Sequence, residues 1–192
     1  NRRRLVEHAG LPEEPRWLKQ VHGNRVVHAS EVERDVTEAD AVWTDQPGQV
    51  CAVMVADCVP ILLAAEDGSY VAAIHAGWRG LLSGVVQQML TEVSDRKTGM
   101  AACIGPTIQY SSYPVGPDLR YKVKDTSSLV LCDNNAGVIC LDLRLSAVNI
   151  LKRYCSKILN YNINTYTNIK YFFSYRQENF TGRFSAWLAK KI

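Results

Sequence analysis

Short apolar runs of strand length dominate the first half of the chain. Val50–Ala56 is apolar and partly β-branched, Ile61–Ala65 follows Pro60, and Tyr70–Ile74 follows the turn signal Asp67-Gly68. Apolar runs of this length, bounded by glycine and proline, are typical of strands in a protein core. The pattern therefore predicts three strands between residues 50 and 74.

Apolar residues recur at helical spacing in three other segments. Arg2–Ala9 is amphipathic and is followed by Gly10 and Pro12, which end helices. Trp78–Val93 and Leu143–Leu159 carry apolar residues three or four positions apart, which favours one buried helix face. We therefore predict a helix in each segment.

Several shorter segments predict further strands. Two of them flank the turn His22-Gly23-Asn24, and another pair flanks Asn134–Gly137. No linker or low-complexity segment indicates a boundary, so we predict one mixed α/β domain. The predicted strands are Trp17–Val21, Arg25–His28, Ala101–Ile104, Leu129–Leu131, Val138–Leu141 and Tyr171–Tyr175.

Composition excludes some classes of protein. The chain has 192 residues, of which 47% are apolar and 21% charged, as in ordinary globular domains. Its net charge of +3 is too small to indicate a nucleic-acid partner. The longest apolar stretch, Val50–Ala65, is interrupted by Asp57, Cys58 and Pro60, so it does not predict a membrane span.

The six cysteines lie in apolar runs such as Val50–Val53, where a free thiol packs as a small apolar group. The chain is also longer than most disulfide-stapled secreted domains, and no secretory signal is visible. We therefore expect reduced cysteines and a cytoplasmic protein.

Three residues at the ends of strand-like runs form a candidate metal site. His22 precedes a glycine, Cys58 follows Val50–Ala56, and His75 ends the run that begins at Tyr70. Strand ends that meet at one edge of a sheet often carry ligands. Two imidazoles and a thiolate suit zinc and leave its fourth position open. The spacing itself is a weak signal, because each residue taken alone is also typical of a structural role.

Six motif segments, in chain order, closely resemble one family. This family comprises the bacterial relatives of the laccase-domain-containing protein, described as polyphenol oxidase, peptidoglycan editing factor or purine nucleoside phosphorylase. The combination of Gln-Val-His-Gly, Ala-Asp-Cys and His-Ala-Gly-Trp-Arg-Gly is specific to it. The segments are Trp17–Gly23, Ala39–Ala41, Cys51–Ile61, His75–Gly80, Ile104–Pro106, and Phe172–Arg176 with Thr181–Arg183.

The resemblance implies that His22, Cys58 and His75 bind Zn²⁺. It also implies an α+β fold with four layers, α/β/β/α, and mixed sheets. Residues 1–192 are then a single laccase-domain-like domain, and an N-terminal piece is expected to be absent, since family members carry residues before the position of Asn1. The chain departs from the family pattern at three places. Many members have paired cysteines where this chain has Ser111-Ser112, an Arg and an Asp where it has Gln177-Glu178, and often a cysteine where it has Asn164.

The implied activity is zinc-dependent phosphorolysis of purine nucleosides (adenosine, inosine or methylthioadenosine), with adenosine deamination as a side activity. The substrates are then a small nucleoside and phosphate. Arg79, Arg176 and Arg183 are the candidate phosphate ligands, because guanidinium matches oxyanion geometry. Zinc suits deamination because it activates water near neutral pH. Asp57 is the candidate proton carrier for that reaction, or else a structural residue.

Three other functions stay open. A copper polyphenol oxidase is the weakest, because the chain has only four histidines and a multicopper cluster needs more. A thiol hydrolase would use Cys58 as nucleophile and His75 as base. The third is a hydrolase that edits peptidoglycan precursors. The sequence predicts neither the preferred nucleoside nor the oligomeric state.

Overall fold

The computed structural model describes residues 2–95, 98–124, 129–133 and 137–190. The helices are α1 (Arg2–Ala9), α2 (Trp78–Ser83), α3 (Val85–Glu92), α4 (Pro117–Lys124), α5 (Leu143–Leu151) and α6 (Tyr175–Glu178). The strands are β1 (Val26–His28), β2 (Ala41–Thr44), β3 (Val50–Val55), β4 (Val59–Ala65), β5 (Val71–Ala76), β6 (Met100–Ile104), β7 (Val130–Asp133), β8 (Ile139–Asp142), β9 (Cys155–Asn160) and β10 (Phe184–Ala189).

A six-stranded mixed sheet has the strand order β1-β2-β5-β4-β6-β9. The outer pairs, β1 with β2 and β6 with β9, are parallel, while the inner pairs are antiparallel. Strands β3 and β10 form a second, antiparallel sheet, and β7 and β8 pair as a separate antiparallel unit. Both parallel and antiparallel pairs therefore occur, as expected for mixed sheets.

The central strands are apolar on both faces. On β4, Val59, Ile61 and Leu63 point into a core shared with helices α2, α3 and α5, whereas Leu62 and Ala64 pack against the opposite core. Successive side chains on a strand point to opposite faces, so a strand covered on both sides reads as a continuous apolar run. This explains why the sequence between residues 50 and 74 shows runs instead of alternation.

The opposite core lies between the two sheets. Cys51 and Val53 of β3 pack with Val71 and Ala73 of β5, and the apolar side chains of β10 lie against the same cluster. The layers therefore run from helices to the six-stranded sheet to the smaller sheet. The fold class, a single mixed α/β domain with a mixed sheet, is confirmed. The second helical layer of the α/β/β/α arrangement stays a prediction. No helix among the described residues is both long and apolar enough to cross a membrane.

Two predicted helices are shorter than their apolar patterns suggested. The segment Trp78–Val93 is two helices, because Gly84 ends α2 in the left-handed conformation, with φ of 86°. The segment Leu143–Leu159 is helical only to Leu151, and its last part is strand β9, which pairs in parallel with β6. Pairing between distant segments overrides local spacing in the second case.

Two predicted strands are wrong. Trp17–Val21 makes only one isolated bridge, between Lys19 and Glu38. Tyr171–Tyr175 is a turn region, in which the backbone amide of Tyr171 donates to Asn168, and it leads into α6. The hairpin-like pair around residues 134–137 is confirmed as β7 and β8, although 134–136 lie outside the described residues. Strands β2 and β10 and helix α4 were not predicted.

We predict that Ile61→Ala lowers the free energy of unfolding by about 2–5 kcal/mol, because the side chain is fully buried on a central strand and its removal leaves a cavity. Urea denaturation followed by circular dichroism measures this change. Leu159→Ala is the matched control, since that side chain is half exposed and its loss should cost far less. Equal losses for the two variants would contradict the assigned position of the core.

Candidate metal centre

His22, Cys58 and His75 meet at one edge of the six-stranded sheet. Their ligand atoms all lie within 4.8 Å of one another, and the two imidazole rings are 4.7 Å apart, edge to face. The antiparallel pairing explains this, because Val59 at the start of β4 lies opposite Ala76 at the end of β5. The structure thus brings the three residues together in a group that could hold a metal ion.

A buried carboxylate, Asp40, fixes both histidines. Its Oδ1 accepts hydrogen bonds from the backbone amide of His22 at 2.9 Å and from Nδ1 of His75 at 2.8 Å. Its Oδ2 accepts from the amides of Gly23 at 2.7 Å and Val21 at 3.2 Å. His22 has a φ of 62°, an uncommon conformation for a residue with a side chain, and these bonds stabilise it.

Asp40 also decides which nitrogen of His75 can bind a metal. With Nδ1 held by the carboxylate, Nε2 is the nitrogen available to an ion, the arrangement of a carboxylate–histidine–metal relay. Burial opposes ionisation of Asp40, but the bonds from His75 and Gly23 outweigh it and lower its pKa. The sequence offered only a weak signal for this role, a lone carboxylate between Ala39 and Ala41.

The surroundings of Cys58 favour its thiolate form. Burial alone would raise its pKa, but hydrogen bonds with His22 and His75 outweigh burial and lower the pKa to about 6. Burial would likewise lower the pKa of His75, yet its bonds with Asp40 and Cys58 raise it to about 9. A thiolate is the form of cysteine that binds metals, so the donor set fits a divalent ion.

The backbone packs closely against this group at Gly77. A Cβ atom at this position would lie 3.0 Å from Sγ of Cys58 and 3.2 Å from Cδ2 of His22. These separations are tighter than ordinary contacts, so any larger residue would displace the two ligands. Gly77 therefore belongs to the site through its lack of a side chain.

Asp57 lies beside the site and has a different set of contacts. Oδ1 accepts a hydrogen bond from the Thr165 hydroxyl at 2.6 Å, and Oδ2 accepts from the backbone amide of Arg176 at 2.7 Å. Its own carbonyl accepts from Thr107 and Ile108. Through its carboxylate and its backbone carbonyl, Asp57 thus joins three other segments of the chain, which favours the structural role that the sequence left open for it.

A cleft of about 630 Å³ opens over the three candidate ligands. Arg79, Arg176 and Arg183, the three predicted phosphate ligands, all line it. The one carboxylate among the described lining residues, Asp57, is already hydrogen-bonded on both oxygens. The cleft is therefore positively charged, which suits an anionic ligand.

Contacts at the cleft wall orient the arginines. The guanidinium of Arg79 stacks on Trp78 with 4.6 Å to the ring centre, and that of Arg176 stacks on Tyr113 at 4.8 Å. Arg183 donates from Nη1 to the carbonyls of residues 181 and 182, at 3.1 and 2.8 Å. Guanidinium planes stacked on aromatic rings keep their edges available for oxyanions.

Two of the departures from the family pattern contact each other. The side-chain amide of Asn164 donates to the Ser112 hydroxyl at 2.9 Å, and its oxygen accepts from the amides of Gln109 and Tyr166. Asn164 is buried, so these bonds satisfy its polar atoms. A hydrogen bond therefore joins the two loops that carry these residues.

The other two histidines lie elsewhere. His8 is in α1 and its Nδ1 contacts the carbonyl of Arg4. His28 contacts Ser30 and Asp45 at the outer strand β1. Neither lines the cleft, so the described residues bring two imidazoles and one thiol to the candidate metal site.

Comparison with known proteins identifies the family of the chain. The family described as "Multi-copper polyphenol oxidoreductase laccase" matches residues 1–191. The chain belongs to this family. Among solved structures, the laccase-family chain resembles protein NMB0706 from Neisseria meningitidis, with a TM-score of 0.85 and 32% identity, and YlmD from Geobacillus stearothermophilus, with a TM-score of 0.87 and 27% identity. The structural matches include 99% and 100% of this chain, respectively, and 79% of each of the two solved chains.

Curated relatives carry a different description. The chain is 34% identical over 191 residues to "Purine nucleoside phosphorylase YfiH" of Escherichia coli, covering 98% of itself and 79% of that protein. It is 36% identical over 192 residues to the "Purine nucleoside phosphorylase" of Haemophilus influenzae. This match includes 97% of the present chain and 78% of the relative. The family thus includes proteins described as phosphorylases.

We predict that Asp40→Asn weakens metal binding by about 10–100-fold, because an amide loses the charge that orients His75 and stabilises the turn at His22. Competition between the protein and a zinc-sensitive dye measures the affinity. The control is Asp118→Asn, an exposed residue of α4, which should bind zinc as the unchanged protein does. An Asp40→Asn variant with unchanged affinity would remove Asp40 from the site.

We also predict that Gly77→Ala reduces zinc affinity, because the added methyl group would push against Cys58 and His22. Gly116→Ala is the matched control, since a Cβ atom there meets nothing within 4 Å. Dye competition gives the affinity, and thermal unfolding without metal checks that both variants are folded. Equal affinities for the two variants would show that the close approach at Gly77 is unimportant.

Proposed function

We propose that the chain is a zinc-dependent purine nucleoside phosphorylase that converts a purine nucleoside and phosphate to the base and ribose 1-phosphate. One observation carries this proposal: three arginines line the same cleft as a His–Cys–His group that could hold a metal. An enzyme that binds inorganic phosphate beside a neutral nucleoside needs such a cationic pocket. The description of two relatives as purine nucleoside phosphorylases supports the choice of reaction.

Zinc is the proposed ion because two imidazoles and a thiolate with an open position are its usual catalytic ligand set. Multicopper centres need many more imidazoles than the two that line this cleft. The oxidase description of the family therefore has little support in the donor set. When bound, zinc supplies a Lewis acid that polarises a coordinated group.

The chain's own residues bind and orient the substrates. Arg79, Arg176 and Arg183 hold phosphate in the cleft, and their positive charge balances the negative charge of the bound phosphate. Asp57 accepts a hydrogen bond from the backbone amide of Arg176, and this bond positions the start of α6. We assign Asp57 this positioning role, and its use as a proton carrier in adenosine deamination stays a prediction. Deamination itself is proposed as a side activity of the same site.

A thiol hydrolase is the second candidate. The observation that favours it is the lowered pKa of Cys58 beside His75, which without a metal gives a thiolate next to a protonated imidazole. A chelator distinguishes the two functions. The chelator should abolish activity if zinc is needed. If Cys58 acts as a free thiolate, the chelator should leave activity unchanged or increase it, and an alkylating reagent should then abolish it.

We predict that adenosine yields adenine and ribose 1-phosphate only when phosphate is present. His75→Ala should abolish adenine formation, and inosine formation with it, because the same group of ligands serves both reactions. Chromatography that separates adenosine, adenine and inosine measures the products, and elemental analysis measures bound zinc. Adenine release that is unchanged without phosphate would show hydrolysis and overturn the proposal.

A second variant tests the phosphate ligands. Arg183→Ala should lower phosphorolysis more than deamination, since only phosphorolysis consumes phosphate. Arg153→Ala is the matched control, because Arg153 is exposed after α5 and does not line the cleft. If Arg183→Ala lowers both products equally, the assignment of that arginine to phosphate is wrong.

A further inference from the structure

Two cysteines face each other across the pair β7 and β8. The register places Val130 opposite Asp142, Leu131 opposite Leu141, and Cys132 opposite Cys140. Residues directly opposite in an antiparallel pair project from the same face. The two thiols are therefore neighbours in space, although neither belongs to the metal site.

The backbone hydrogen bonds define the spacing of this pair. On its other side β8 bonds to a neighbouring segment, through the carbonyl of Ile139 with the amide of Val115 and the amide of Leu141 with the carbonyl of Tyr113. Because amide groups alternate in direction along a strand, those of Cys140 point towards Cys132. Such hydrogen-bonded pairs have Cα atoms about 5.5 Å apart, inside the range of about 4.4–6.8 Å for disulfides.

The remaining cysteines have no such arrangement. Cys51 lies opposite Leu188, Cys103 lies opposite Leu62 and Leu159, and Cys155 lies opposite Met100. Cys58 is assigned to the metal centre. Among the strand residues that the structure describes, Cys132 and Cys140 are thus the pair of cysteines in direct register.

We propose that Cys132 and Cys140 form a reversible dithiol–disulfide site that reacts with low-molecular-weight disulfides. The thiolate of one cysteine attacks a sulfur of the small disulfide and expels one thiol, which leaves a mixed disulfide on the protein. The second cysteine then attacks the protein sulfur, forms the Cys132–Cys140 bond and expels the other thiol. The protein sulfurs are oxidised by two electrons and the small disulfide is reduced to two thiols.

Exposure decides which cysteine reacts first. Cys132 is partly exposed, whereas Cys140 is fully buried, so the small disulfide reaches Cys132. Burial raises the pKa of the Cys132 thiol, and the nearby Asp142 and Cys140 raise it further, so the attacking thiolate forms more readily at alkaline pH. Cys140 then serves as the resolving cysteine.

The bond is expected to be easily reduced. Opposite Cβ atoms on a sheet are about 4.5–5.5 Å apart, while a disulfide brings them to about 3.5–4.5 Å. The two strands must therefore tighten when the bond forms, and a strained disulfide has a more oxidising potential. This makes the site reversible under mild reductant.

The test uses the zinc-loaded full chain, reduced, desalted and exposed to excess oxidised glutathione. We expect a peptide linked through Cys132 and Cys140, an intact mass lower by two hydrogen atoms, and four free thiols in place of six after denaturation. Mild dithiothreitol should restore all of them. Cys132→Ser should give no linked peptide, while the matched control Cys155→Ser should give the same link as the unchanged chain.

Other outcomes overturn the proposal. Separate glutathione adducts on both cysteines would show that the thiols cannot reach each other. A link from either cysteine to a different one, or between two chains, would show that the register does not direct the reaction. Absence of any link after the treatment also rejects the site. Circular dichroism of Cys132→Ser checks that the variant is folded, so that the absence of a linked peptide is due to the missing thiol and not to unfolding.

Discussion

The buried carboxylate of Asp40 is the interaction on which the site depends. It accepts hydrogen bonds from the turn at His22 and from the imidazole of His75, two segments far apart along the chain. Strand pairing delivers it there, because Ala41 of β2 lies opposite Ile74 of β5, and the amide of His75 donates to the Asp40 carbonyl at 2.8 Å. A buried charge costs free energy unless it is fully bonded, and these contacts supply the bonds.

Backbone strain is concentrated around the same cleft. Four described non-glycine residues have positive φ, and three of them, His22, Asp57 and Asn179, line the cleft. Such conformations cost free energy and persist only where surrounding contacts enforce them. At His22 and Asp57 those contacts are hydrogen bonds, to Asp40 in one case and to Thr165 and Arg176 in the other. The strain and the bonds together give the ligands a fixed geometry before any substrate arrives.

Charge in the cleft divides between two zones. At its floor Cys58, whose pKa is lowered, lies beside His75, whose pKa is raised, and a metal would displace the protons of these two groups. At its wall the arginines are held by aromatic rings and backbone carbonyls and have no carboxylate partner in the contacts described above. This separation is the physical basis for proposing that a metal and a phosphate bind side by side in the cleft.

The sequence by itself determined the central strands, helix α1, the β7–β8 pair and the three candidate ligands. Apolar runs and motif segments are local, and local spacing records which faces are buried. Only the tertiary structure decided that Leu143–Leu159 becomes a helix and a strand, that Tyr171–Tyr175 is a turn, and that Asp40 joins the two histidines. The strand and the carboxylate depend on partners distant in sequence: β6 for the strand, and the paired strands β2 and β5 for the carboxylate. Such partners leave no periodic trace in the segment itself, so they are settled only when the chain is folded.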